Sequence, residues 1–167
     1  MILIHTALLC EAMPIIERFK LKLDKSEKFK IYKNEQIWLC VLGVGAKNTA
    51  NLAEILCVNS FNKVINLGIC GCSDKSVKIG EIFCINEKIE GFKTANLECV
   101  SSPQTAIKAK LCDMESDEFR RICTEFGVSF LIVKIVSDHL NTERISKNFV
   151  YNLVKNQIKN IERILKN

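Results

Sequence analysis

The apolar residues of this chain fall into two patterns. Continuous runs, ILIHTALL at 2–9, KVINLGI at 63–69, EIFCINEKI at 81–89 and SFLIVKIVSD at 129–138, read as strands buried on both faces. Between them, apolar residues recur every three or four positions, as helices require. One such segment opens at Pro14, placed for a first helical turn, and turns Ile15, Ile16 and Phe19 inward. A second carries Ala50, Ala53, Leu56 and Cys57, a third Phe119, Ile122, Cys123 and Phe126, and a last helix Val150, Val154, Ile158, Ile161 and Leu165. EKFKIYK and QIWLCVLG flank Asn34-Glu35 and predict a hairpin, and LECVS (97–101) and AKLCDM (109–114) predict short strands. Strands alternating with helices predict an α/β fold: one domain over 1–167 in three layers, with a central mixed, mainly parallel sheet flanked by helices.

Ligands of such sheets collect beyond the carboxyl ends of the strands, and the residues that break the apolar pattern gather there. The stripe Phe119, Ile122, Cys123, Phe126, extended one turn back, meets Glu115, a carboxylate at the head of a buried face. Desolvating an unpaired charge costs several kcal/mol or shifts its pKa, so Glu115 calls for a partner or a task. Glu11 follows the first strand, Gly68 to Gly71 follow Val64-Ile65-Asn66, and Asp138 ends the strand at 129–138. Three carboxylates and a glycine-bearing turn at the ends of different strands make one pocket. Lys134 interrupts an apolar strand and is a candidate to pair with Glu115. Each has an ordinary reading as well: Asp138 as a helix cap, Glu11 as a first-turn carboxylate favouring the helix dipole, and His5 as a satisfied core histidine. His139, next to Asp138, is a candidate to line the pocket. Gly43-Val44-Gly45 and Gly68-Ile69-Cys70-Gly71 match no phosphate-binding loop pattern.

Composition narrows the class. A chain of 167 residues with 48% hydrophobic and 26% charged residues is ordered and large enough to bury a core without staples. Its nine cysteines are odd in number and scattered among apolar residues, and Cys70-Gly71-Cys72 lacks zinc-site spacing. They read as reduced core thiols of a cytoplasmic protein, with no metal and no cofactor. The net charge of +5 is spread as lysines among glutamates and asparagines, which predicts a solvated surface and no nucleic-acid partner. No run reaches the length of a membrane span, and MILIHTALL lacks the basic leader and cleavage site of a secretory signal.

Taken in order, ALLCEAMPII, LGVGAKNTA, VINLGICGC with VKIGEIFCINEKI, DMES and FLIVKIVSD resemble the nucleoside phosphorylase and nucleosidase superfamily, and most of all the bacterial methylthioadenosine/S-adenosylhomocysteine nucleosidases. The resemblance runs from residue 3 to about 140. It implies an enzyme acting on a small-molecule nucleoside. By the same resemblance Glu115 binds the ribose 2′- and 3′-hydroxyls with Met114 packed on the sugar, Asp138 of the Ser137-Asp138 pair is the general acid at the purine N7 edge, and Glu11 positions the attacking water. Gly68 and Ile69 belong to the substrate turn, and Lys134 stands where the nucleosidases carry arginine. The chemistry agrees with such a set, because an oxocarbenium-like sugar needs an acid on the leaving base and a base for water on the other face.

The phosphorylase branch needs arginine and a hydroxyl at the turn, where this chain has Leu67-Gly68-Ile69-Cys70-Gly71. Hydrolysis is therefore expected. Phosphorolysis is the alternative, with Ser73, Lys75 and Arg18 as substitute anion ligands, and a nucleoside-binding protein without turnover is another. The chain is shorter than typical members between Lys88 and Met114, the stretch that supplies base-stacking residues. Val100 and the rest of VSSPQT (100–105) are its remnant, without an aromatic residue. The resemblance also implies a homo-oligomer, a dimer or larger.

Overall fold

A computed structural model describes residues 1–141 and 145–166. The strands are β1 (Ile2–Thr6), β2 (Lys22–Asp24), β3 (Lys30–Lys33), β4 (Ile37–Val41), β5 (Lys63–Cys72), β6 (Ile82–Cys84), β7 (Leu97–Cys99), β8 (Leu111–Asp113) and β9 (Phe130–Asp138). The helices are α1 (Leu9–Phe19), α2 (Ala46–Thr49), α3 (Leu52–Val58), α4 (Ser116–Glu125), α5 (Lys147–Asn156) and α6 (Ile158–Leu165). β4, β1, β5 and β9 lie side by side and parallel, while β2, β3, β6 and β8 join antiparallel. The sheet is mixed, with its long central strands parallel.

Two apolar layers cover it. On one face Ile4, Ile65 and Val133 pack with Ile15 of α1, Val154 of α5 and Ile161 of α6. On the other, Leu3, Val64 and Ile132 pack with Ile55 of α3 and with Phe119 and Ile122 of α4. Burial on both sides is why β5 and β9 read as unbroken apolar runs.

Several expected elements differ in detail. The first strand ends at Thr6, and α1 begins at Leu9, so Pro14 sits inside the helix rather than in its first turn. The run at 81–89 is a strand only over Ile82–Cys84, because Asn86 leaves the ladder and uses its side chain to bond Phe130 O and Ile132 N. The segment at 46–58 breaks into two helices, and its buried face is Thr49, Leu52, Ile55 and Leu56, with Ala50 and Cys57 exposed. Thr49 takes the inward place that apolarity assigned to alanine, returning its hydroxyl to Gly45 O at 3.1 Å. Phe126 is 38% exposed because α4 ends at Glu125, before the stripe closes. The last helix is two, joined at Gln157, and β2 forms an edge strand that the Lys-rich sequence at 20–25 concealed. Among the described residues no helix is long and apolar enough to cross a membrane.

One feature of topology positions the site. β5 pairs with β9 on one edge from Val64 to Gly71. On the other edge Lys63–Asn66 pair with β1 and Gly71–Cys72 with β8, so Leu67–Cys70 meet no strand there. A gap opens inside the sheet where β1 has ended and β8 has not begun.

Candidate active site

That gap is the floor of a cleft of about 210 Å³, and the expected residues converge on it. Glu11, Ile69, Val100, Met114, Glu115, Ser137 and Asp138 all line it. Gly68 and Lys134 lie just beneath.

Glu11 comes from the third position of α1, where a carboxylate reaches back to the amide that opens the helix. Its Oε2 accepts from Leu8 N at 2.8 Å, and its Oε1 accepts from Ile69 N at 2.9 Å. The second bond replaces the missing strand: the amide that no ladder partner satisfies is satisfied by this side chain. The ordinary reading of Glu11 as a first-turn carboxylate holds, and the same side chain also lines the cleft. Burial pushes its carboxyl up to about 7, against the two backbone bonds and the Lys134 charge, with the negative Glu115 adding to the rise.

Glu115 is the residue before α4, buried, with Oε1 accepting from Gly45 N at 2.8 Å. This answers its place at the head of the apolar stripe: the helix delivers it to the cleft, and the loop at Gly43–Gly45 supplies an amide. Gly45 holds a φ of +89°, which favours glycine there.

Asp138 ends β9 beyond a bulge. Cys70 pairs with Val136 but Gly71 with Asp138, so Ser137 is an extra residue that re-aims the strand end. Ser137 Oγ lies 3.1 Å from Cys70 O and 2.7 Å from Asp138 Oδ2, and Asp138 Oδ1 accepts from Asn141 N at 3.0 Å. A Cβ on Gly71 would come within 3.1 Å of both Cys112 Sγ and Leu140 Cδ2 and 3.5 Å of Asp138 Oδ1, so the wall beside Asp138 stays open only because that residue is glycine.

Lys134 does not pair with Glu115. It is fully buried, and its ammonium lies 2.5 Å from Asp113 Oδ2. Burial opposes its charge, but Asp113, Glu115 and Glu11 together hold it protonated, above the usual lysine range. Asp113, the end of β8, is the site residue that sequence reasoning missed. Burial pushes its carboxyl up, yet Lys134 and the Ser116 hydroxyl and amide more than offset this and hold it below the ordinary range. The signal available was a charge in an apolar strand, AKLCDM, two residues before Glu115.

Other candidates fall away from the cleft. His139 is not part of its lining and bonds Val77 O through Nε2 at 2.9 Å. His5 has Nδ1 2.8 Å from Asn66 Nδ2, but its Nε2 has no partner, so it is only half satisfied. Burial, and next the Lys134 charge, push it down to about 3, which keeps it neutral. Arg18 pairs with Glu162, Ser73 Oγ lies 3.0 Å from Ala109 O, and Lys75 is exposed, so none of the substitute anion ligands reaches the cleft. Of the cysteines, Cys57 is exposed and Cys10 and Cys99 are half-buried, so the thiols are not all in the core.

A sequence profile of the phosphorylase superfamily matches residues 11–104. No curated protein sequence matches the chain. Among solved structures, an Asp-to-Asn variant of MTAN from Chlamydia trachomatis superposes with a TM-score of 0.79 at 20% identity, covering 99% of this chain and 97% of that one. The 5′-methylthioadenosine nucleosidase of Arabidopsis thaliana gives 0.80 at 15% identity, over 98% and 95% of the two chains. The futalosine hydrolase of Helicobacter pylori gives 0.77 at 16% identity, over 99% and 97%. At these identities the likeness is one of fold.

Proposed function

Because the chain belongs to the phosphorylase superfamily, we propose that it hydrolyses the N-ribosidic bond of a purine nucleoside or a 5′-modified one, releasing free base. The observation that carries this reading is the convergence of Glu11, Glu115 and Asp138 on one cleft, from three different elements. In it, Glu115, fixed by the Gly45 amide, accepts from the ribose hydroxyls, and Met114 packs against the sugar. The bond from C1′ to the base nitrogen breaks with its electron pair going to the base, and Asp138 delivers a proton to N7. Water bonds to C1′ and gives its proton to Glu11. A buried carboxyl with a pKa near 7 suits a base at neutral pH.

Water is favoured over phosphate by charge. Among the described residues lining the cleft there is no lysine, arginine or histidine to hold an anion, while four acidic side chains, Glu11, Asp113, Glu115 and Asp138, line it. The described lining also lacks an aromatic side chain to stack on a base. In this reading a second copy of the chain covers the half-open side near the exposed Val44 and Leu9. A monomer by light scattering would remove that part. The nine thiols, all free, suit a cytoplasmic setting.

The test is mass-spectrometric detection of free base from a nucleoside panel, with and without phosphate, for wild type and Asp138→Asn. Base release that ignores phosphate and falls about 10²- to 10⁴-fold in the variant is expected. Release that requires phosphate would assign a phosphorylase, and tight nucleoside binding with no base released would assign a binding protein.

A further inference from the structure

We propose that Asp113 is a positioning residue that acts through Lys134: by holding the ammonium on its own side, it keeps that charge from quenching Glu11 as a proton acceptor. The proposal rests on the reading of Glu11 as the base.

The geometry that supports it is a box of charges under the cleft floor. Lys134 Nζ lies 2.5 Å from Asp113 Oδ2, and Asp113 Oδ1 is anchored by Ser116 Oγ at 2.5 Å and Ser116 N at 3.3 Å. β8 and the first turn of α4 therefore fix the anion, and the anion fixes the cation. Glu11 is nearby. A Cβ on Gly68 would stand 3.0 Å from Glu11 Oε1 and 3.7 Å from Lys134 Nζ, so the glycine leaves only a narrow gap between the carboxylate and the ammonium. Among the described residues Lys134 Nζ has the Asp113 ion pair and no well-angled hydrogen bond, so without Asp113 no partner holds the ammonium on its own side of that gap.

The other groups around Glu11 do not duplicate this role. From α1, Cys10 is half-buried with its thiol pushed up by burial and then by Glu11 itself. From β1, His5 is neutral and from β5, Cys70 is a fully buried thiol raised well above its usual range by burial. Lys147 of α5 acts on Cys10. Glu115, at the start of α4, is bonded to Gly45 and is the second carboxylate to feel Lys134. Asp113 alone makes contact with the ammonium as an ion pair among the described residues.

An opposite charge moved to within about 4–6 Å lowers a carboxyl pKa by roughly 1–3 units. The experiment follows the carboxyl carbon of Glu11 by ¹³C NMR through a pH titration, the signal identified by its loss in Glu11→Gln. Asp113→Asn is expected to lower the Glu11 midpoint by about one unit or more, and Lys134→Met to raise it. Adding Asp113→Asn to Lys134→Met should produce a much smaller fall, because the route runs through the lysine. An unchanged midpoint in Asp113→Asn overturns the proposal. So does a fall of about one unit or more on adding Asp113→Asn to Lys134→Met, a measurement that does not require the single variant, with its stranded buried cation, to fold. The acid limb of kcat/KM for base release should shift with the midpoint. If the midpoints move as stated and no nucleoside releases base, the hydrolytic reading fails and the link between Asp113, Lys134 and Glu11 stands.

Discussion

Glu11 is a buried carboxyl whose ionisation works against the stability of the fold, and the size of that opposition follows from its setting. Folding raises its carboxyl from 4.5 to about 7, chiefly by burial. A carboxyl raised on folding binds its proton more tightly in the native state. The associated stability is present below pH 4.5 and is lost as the pH rises to about 7, beyond which the loss is complete. At ~1.4 kcal/mol per unit the full effect is on the order of 3 kcal/mol, with roughly 2–3 of it falling between pH 5 and pH 8. Glu11→Gln removes this dependence and has a cost of its own. Glutamine has a single carbonyl oxygen, so either Leu8 N or Ile69 N loses its acceptor, at about 1–3 kcal/mol independent of pH. The variant should therefore be less stable than wild type at pH 5 and equal or more stable at pH 8. Urea unfolding of both proteins at the two pH values measures this, because titrations elsewhere in the molecule largely cancel in the difference. A stability difference that stays constant from pH 5 to pH 8 would mean that Glu11 ionises in the fold as it does in solution. The account of it as a desolvated base would then be wrong.

Three further outcomes are expected. Gly68→Ala, whose methyl would press on Glu11 Oε1 at 3.0 Å, should lower kcat/KM for base release by roughly 10- to 100-fold while circular dichroism and Tm stay near wild type. Glu115→Gln keeps an acceptor for Gly45 N, so thermal melting should change little while KM for the nucleoside rises about tenfold or more, the sign of lost sugar binding. Phe119→Ala, at a fully buried ring stacked on His5 at 5.9 Å and edge-on to Phe130 at 5.9 Å, should cost about 3–5 kcal/mol in denaturant unfolding.

How far the sequence could be read depended on whether a feature was local. Glu115 was legible because a 3.6-residue stripe runs into it, and Asp138 and Glu11 because polar residues at strand ends of an α/β sheet stand where ligands bind. Asp113 was not, since nothing near AKLCDM says that Lys134, 21 positions later in the numbering, will face it. That meeting depends on β5 exchanging β1 for β8 along one edge, a long-range event with no periodic signal. Pairing Lys134 with Glu115 instead was an error of the same origin. The phase error over 46–58 had a different cause: Thr49 is buried by returning its hydroxyl to the backbone, which apolar periodicity does not count. His139 was misjudged by adjacency, because the strand ends at Asp138 and the next side chain turns toward Val77.

The gap in the ladder has a consequence for how this architecture tolerates change. The floor of the cleft is built from peptide groups of Leu67–Cys70, and a peptide group offers the same donor and acceptor whatever side chain it carries. Substitutions along β5 other than at Gly68 and Gly71 can alter packing on either face of the sheet and leave that floor intact, provided a carboxylate from α1 still covers it. What must persist is a topology and a few charges rather than a long motif. A scaffold of that kind accommodates extensive divergence, and chains that share only 14% to 22% of their residues with this one keep its fold.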